Sequence, residues 1–184
     1  GAVLHAVPVP PRRDAMKPTV RSRLLFFGGV VLVVILDQLS KFWIVQNVPV
    51  YTPVNFFPRL APILSFTFVQ NTGVAFGLLP GLGHIFKVLS AVVVVGIMIF
   101  HRSIAGMDLW INSALGLVAG GALGNLLDRL TRGFVVDFLD VNFWPLREWP
   151  VFNLADSAIV VGVAILLLDA FLTSEKPAVP DAGA

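Results

Sequence analysis

The sequence has no cysteine, which excludes disulfides, thiol nucleophiles and thiolate metal sites. Histidine is scarce: His5 lies in the N-terminal tail, while His84 and His101 stand near opposite ends of one apolar run. They cannot meet on one ion, so no metal chemistry is expected. Charge is the third shortage. Only 13% of the 184 residues are charged, against about 25% in an ordinary soluble domain. The net charge of +2 and the lack of any basic stripe argue against nucleic acid as a partner. Apolar residues fill the space instead, at 57% of the chain with a mean hydropathy of +0.86. This is the composition of an integral membrane protein, and the length allows one bundle with no sizeable soluble domain.

Four runs are long enough to cross a hydrocarbon core of ~30 Å, which takes about 20 helical residues. They cover about 24–46, 83–101, 109–129 and 154–173. Residues 1–15 are Pro-rich and aperiodic, and they read as a disordered leader or an expression remnant before a natural start at Met16. Residues 16–173 then form one membrane domain, and 174–184 a disordered cytoplasmic tail. Arg12, Arg13, Lys17, Arg21 and Arg23 precede the first run, which places both chain ends in the cytoplasm after four crossings. Arg129, Arg132 and Arg147 then fall outside, against the rule, which suggests that they serve a purpose. The expected fold is a membrane protein, mainly α, with four transmembrane helices and a small extracytoplasmic β-sheet platform. That platform comprises about 48–80, where SFTFVQN (65–71) alternates like a strand, plus 133–152, where GFVV and WPVF could pair with it.

Polar residues concentrate between Gly120 and Asp156, and ionisable groups at a membrane are expensive enough to mark function. Asp37 and Lys41 are four residues apart in the first run, a spacing that suits a structural ion pair on one helix face. Ser40 beside Lys41 raises a Ser/Lys nucleophile, but adjacent helical residues diverge by about 100°. In NTGVAFG (71–77), Asn71 could offer its amide to a substrate backbone and Gly73 a close approach, or the stretch could be a plain turn. Gly116, Gly120 and Gly124 make a stripe for close helix packing, which continues by four to Asp128. Asn125 and Arg129 lie on an adjacent face, and Arg129 is a candidate for orienting a carbonyl or a carboxylate. Asn153 reads as a helix N-cap with Asp156 at its third position. Asp137 sits in an apolar context that such capping does not explain. If Asp137 and Asp156 meet, one holds a proton while the other acts as a base on water. The alternative is an ion or proton translocator that uses the same carboxylates as a relay. Against it, Asp128, Asp137, Asp140 and Asp156 gather at one predicted face instead of forming a ladder.

DQLSK, NTGVAFG, GGALGNLLDR, GFVVDF and FNLADS stand in the order and spacing of the bacterial lipoprotein (type II) signal peptidases. The chain resembles this family over residues 16 to about 173. The resemblance implies a four-helix inner-membrane enzyme with an active site near the periplasmic face. It implies an aspartic endopeptidase that cuts a diacylglyceryl-modified prolipoprotein just before the lipidated cysteine. By the same resemblance Asp137 and Asp156 are the catalytic pair. Asp37, Asn71, Asn125, Asp128, Arg129 and Asn153 match positions that shape or support the site, and Lys41 and Gly73 fall in the same motifs. The implied partners are the prolipoprotein, membrane lipid and globomycin-type inhibitors, with the enzyme working as a monomer and no cofactor.

Overall fold

The computed structural model describes residues 19–73, 83–105, 108–146 and 149–174. The expected leader, residues 74–80 of the platform and nearly all of the tail lie outside these described residues. The elements in order are α1 (Val20–Asn47), β1 (Pro53–Val54), β2 (Leu64–Asn71), α2 (Gly83–Ala105), α3 (Leu109–Thr131), β3 (Val135–Val141) and α4 (Leu154–Ser174). The protein is thus mainly helical with one small antiparallel sheet. Among the described residues, α1, α3 and α4 are long and apolar enough to cross a membrane, and Ile85–His101 of α2 is a shorter apolar helix.

Each helix ends slightly past the bound expected from hydropathy, and α1 also starts earlier, at a polar cap. Thr19 accepts a bond from the Ser22 amide at 3.1 Å and starts α1. Asp108 accepts from the Trp110 and Ile111 amides at 2.9 and 3.1 Å and starts α3. Both caps satisfy amides that the first helical turn leaves without partners.

α3 is the central helix, packed on α1, α4 and α2. Its glycine stripe faces α1. A Cβ on Gly116 would lie 2.7 Å from the Phe26 carbonyl oxygen, and one on Gly120 would lie 2.8 Å from the Val33 Cβ. At Gly124 the obstacle is polar, because a Cβ there would stand 2.5 Å from the Asp37 carboxylate. The seam that brings the backbones together therefore ends on an ionisable side chain. Gly124→Ala is expected to cost about 1–3 kcal/mol, the range for overpacking a tight contact. Gly28→Ala, on the same bundle but with open space around it, should leave stability unchanged. Thermal unfolding in detergent compares the two.

Outside and inside are inverted relative to a soluble bundle. Leu24, Val31, Leu32, Leu36, Leu39 and Phe42 of α1 are exposed, as are Val160, Leu167, Leu168 and Phe171 of α4. Asp37, Lys41, Asp128, Asn125 and Asn153 are buried. A lipid solvent covers the apolar exterior and makes unpaired polar groups costly, so these groups turn inward to one another.

The sheet order is β1-β2-β3, and both pairings are antiparallel. Of the expected 133–136 stretch, Val135 and Val136 pair with β2, opposite Asn71 and Gln70. The WPVF stretch contributes less than a strand: Phe152 bridges Leu139 and makes no longer ladder. β1 takes the far edge instead. A bulge between Phe66 and Val69 shifts the register, so that Val69 rather than its neighbour faces Asp137. Bulges beside sites re-aim side chains in this way. Val136 and Phe138 pack with Ile44, Val48 and Phe68, which locks the sheet to the end of α1. Asp137, between them in sequence, points to the opposite side and meets asparagines.

Candidate active site

The centre of the site is Asn153. Its Nδ2 donates to Asp137 Oδ1 at 2.6 Å, and its backbone amide donates to Asp156 Oδ2 at 3.2 Å. The Asp156 amide returns a bond to Asn153 Oδ1 at 2.9 Å. The last two bonds form a reciprocal N-terminal cap on α4. Capping and site-building are therefore one arrangement, and a single residue, by its side chain and its backbone amide, connects the two carboxyl groups.

Further amides complete both carboxyls. Asn71 Nδ2 donates to Asp137 Oδ2 at 2.8 Å, and Asn125 Nδ2 donates to Asp156 Oδ1 at 2.7 Å. The Gly73 amide donates to Asn71 Oδ1 at 3.0 Å, which turns the Asn71 amine toward Asp137. Asn71 is thus engaged with a carboxyl group rather than held free for a substrate backbone, and the turn reading of NTG holds as well. Asp137 is 2% exposed, whereas Asp156 is only half-buried.

Behind the two carboxyls lies a buried ion cluster. Lys41 Nζ stands 2.9 Å from Asp37 Oδ2 and 3.0 Å from Asp128 Oδ2, and it donates to Asn125 Oδ1 at 2.9 Å. All three charged side chains of this triad are fully buried. Each carboxylate of the triad also grips one backbone amide. Asp37 Oδ1 accepts from Ala155, the residue before Asp156, at 3.1 Å, and Asp128 Oδ2 accepts from Val136, the residue before Asp137, at 3.0 Å. One ammonium thereby fixes the first turn of α4 relative to β3, and with it the separation of Asp137 from Asp156. Ser40 is spent on the Asp37 carbonyl at 2.8 Å, and Lys41 is occupied by the triad, so the Ser/Lys pairing does not form.

Arg129 approaches the same end of the bundle. Its Nη1 donates to Ser90 Oγ at 3.4 Å and to the Asn125 carbonyl at 3.5 Å, with its guanidinium 5.9 Å from the Phe86 ring centre. Its charge acts on Asp156, Asp137 and Asp128 without pairing to one of them. The arginine that Asp128 does pair with is Arg132, four residues on. Two members of the cluster were not expected there: Gln38, which the motifs left without a role, and Arg132, which stood out only as a positive charge on the outer side. The i,i+4 spacing of Asp128 and Arg132 was the available signal for one. Gln38 carried none, because apart from its neighbour Asp37 its partners are Gly124, Asp128 and Arg132, about 90 residues away.

Burial pushes the Asp137 carboxyl up to about 7, and Asp156 beside it adds to the rise. The Asn71 and Asn153 amides and the Lys41 ammonium oppose the shift. Folded protein then holds a proton that the unfolded chain, with its carboxyl near 3.8, has released. Between those two values the native state binds more protons than the unfolded one, so stability falls as pH rises and levels off above about 7. Asp137→Asn should remove that part of the slope, read as melting temperature in detergent between pH 4 and 8.

The fold is that of a membrane enzyme. It superposes on a bacterial membrane enzyme solved by the in meso method at 2.3 Å resolution, with a TM-score of 0.77 and 28% identity over 91% of this chain and 98% of the other. A second such enzyme, solved at 1.9 Å, gives a TM-score of 0.72 and 31% identity over 84% and 96%. Residues 29–172 match the family model of signal peptidase (SPase) II, and the chain belongs to that family of proteases. It is 44% identical to a lipoprotein signal peptidase of Shewanella halifaxensis, covering 84% of this chain and 90% of that one. It is 41% identical to one of Halothermothrix orenii, covering 76% and 90%.

Proposed function

We propose that this protein removes the signal peptide from diacylglyceryl-modified prolipoproteins, cutting just before the lipidated cysteine with water activated between Asp137 and Asp156. The observation that carries the reading is the bridge through Asn153, which binds both carboxyl groups in one buried network. The names of the similar proteins support the substrate class.

In this mechanism Asp137 carries the shared proton, because it is the buried member and its carboxyl is pushed up to about 7. It donates a hydrogen bond to the scissile carbonyl. Asp156, half-buried and open toward the substrate side, takes a proton from water as the new carbon–oxygen bond forms. The tetrahedral intermediate then breaks its carbon–nitrogen bond. The proton held by Asp156 passes to the leaving amine of the lipidated cysteine, and the signal peptide departs with a carboxyl end. Arg129 orients the peptide beside the pair, and the sheet clamps it from above.

The proposed topology has four spans, with α2 as the second. Both chain ends lie in the cytoplasm, and the carboxyl end of the bundle lies near the periplasmic face of the inner membrane. The substrate enters sideways with its acyl chains still in lipid, and globomycin-type inhibitors occupy the pair. The enzyme acts as a monomer. A reconstituted assay with one precursor, lipid-modified or not, tests the reaction. Cleavage of the modified form alone, with a product whose first residue is the lipidated cysteine by mass spectrometry, is expected. Equal cleavage of the unmodified precursor, or a cut elsewhere, would contradict it.

A further inference from the structure

The proposed chemistry uses neither Gln38 nor Arg132, yet both sit on the ion cluster behind it. Gln38 Nε2 donates to Asp37 Oδ2 at 3.1 Å, to Asp128 Oδ1 at 3.2 Å and to the Gly124 carbonyl at 3.2 Å. Its Oε1 accepts from Arg132 Nη1 at 3.2 Å, and the same Nη1 pairs with Asp128 Oδ1. Asp128 is therefore held on two sides. The Lys41 ammonium and the Val136 amide take one oxygen, and Arg132 and Gln38 take the other. Arg132 is the one charged member that reaches solvent, with its side chain 26% exposed.

The formal charges decide what Arg132 does. Asp37, Lys41 and Asp128 together carry one net negative charge in a fully buried site. Arg132 brings the cluster to zero. Without it, an uncompensated negative charge would stand on the amide of Val136, one residue before Asp137, and act on a carboxyl that already has another beside it. Asp156 on α4, Lys41 on α1 and Arg129 on α3 act on the Asp137 carboxyl, and the Asn71 and Asn153 amides bond it. In that company one more unpaired negative charge favours the protonated carboxyl.

We infer that Arg132, seated by Gln38, is a positioning and charge-balancing residue for the reaction: it neutralises the buried Asp37–Lys41–Asp128 group and so sets the pH range over which the Asp137–Asp156 pair works. The inference rests on the reading of that pair as the catalytic one. Arg132 touches no reacting atom and acts through Asp128.

The test uses the purified full chain in detergent and two readouts. One is the pH profile of kcat/KM on a diacylglyceryl prolipoprotein. The other is the infrared carbonyl band of protonated Asp137, identified by its loss in Asp137→Asn, which needs no turnover. Arg132→Gln removes the charge and keeps a polar amide on a shorter side chain. Both the band midpoint and the alkaline limb of kcat/KM should move up by about 0.5 pH unit, the scale expected for a partly solvated charge. Arg132→Lys should restore both toward wild type. Thermal unfolding confirms that each variant is folded. If Asp137→Asn is inactive but neither midpoint moves in Arg132→Gln, the inference fails and the catalytic reading stands. If Asp137→Asn still cleaves, the catalytic reading fails and the inference fails with it.

Discussion

Asp137→Asn and Asp156→Asn are each expected to lower kcat by about 10³-fold or more, within the range for losing a general acid or base, with KM nearly unchanged. Both lost interactions form only in the transition state, so kcat and kcat/KM should fall together. The substitutions keep shape, and the network limits their structural cost. At position 156 one amide oxygen can still accept from the Asn153 amide or from Asn125, which preserves part of the α4 cap. At position 137 the cost is larger, because both oxygens accept from side-chain amines, Asn71 on one side and Asn153 on the other. An asparagine there turns one amine against another and forfeits one bond, worth about 1–3 kcal/mol if left unmade. Asp140→Asn serves as the control. That carboxylate is three residues away on the same strand, but it accepts a 2.6 Å bond from Thr67 and takes no part in the Asn153 network. It should cleave at close to the wild-type rate.

Lys41→Met is expected to give the largest loss of stability of any single substitution in the bundle. Its ammonium serves Asp37, Asp128 and Asn125, and it and all three partners are buried. Removing one partner of a buried ionic group strands the others, at a cost of about 3–5 kcal/mol, or a melting point lower by roughly 10 °C for a chain of this size. The stranded carboxylates are the same two that grip the amides of Ala155 and Val136. Activity should therefore fall even where the variant folds. Lys41→Arg keeps the charge, yet a planar guanidinium cannot aim donors at three acceptors set by two helices. It should rescue neither property. Thermal unfolding and cleavage measured on the same preparation check both expectations.

Most residues that meet at this site stood out in the sequence, but Gln38 and several relationships did not. Apolar runs locate the helices because span length is dictated by the bilayer. The Gly116–Gly120–Gly124 stripe pointed correctly to Asp128 on a packed seam, because helical periodicity is local. The partner along that seam, α1, was not legible, since nothing within α3 says which helix fills it. Asn153 and Asp156 read as a cap, and Asp137 read as unexplained by any neighbour. What spacing alone could not supply is that the cap residue reaches across to Asp137, because that contact joins α4 to β3 through the fold. The same limit hid Gln38, whose contacts beyond its neighbour Asp37 lie about 90 residues away, and the edge strand at Pro53–Val54, which is too short to show alternation.

The measurement that bears most directly on the central claim is the pH dependence of wild-type kcat/KM, which reports the free enzyme's own acid and base. If Asp137 and Asp156 share one proton as acid and base, activity must fall on the alkaline side with a midpoint near 7, where Asp137 loses its proton. The fall should vanish into the residual rate of Asp137→Asn. An activity that stays level from pH 6 to pH 9 while Asp137 loses its proton across that range would contradict the shared-proton mechanism.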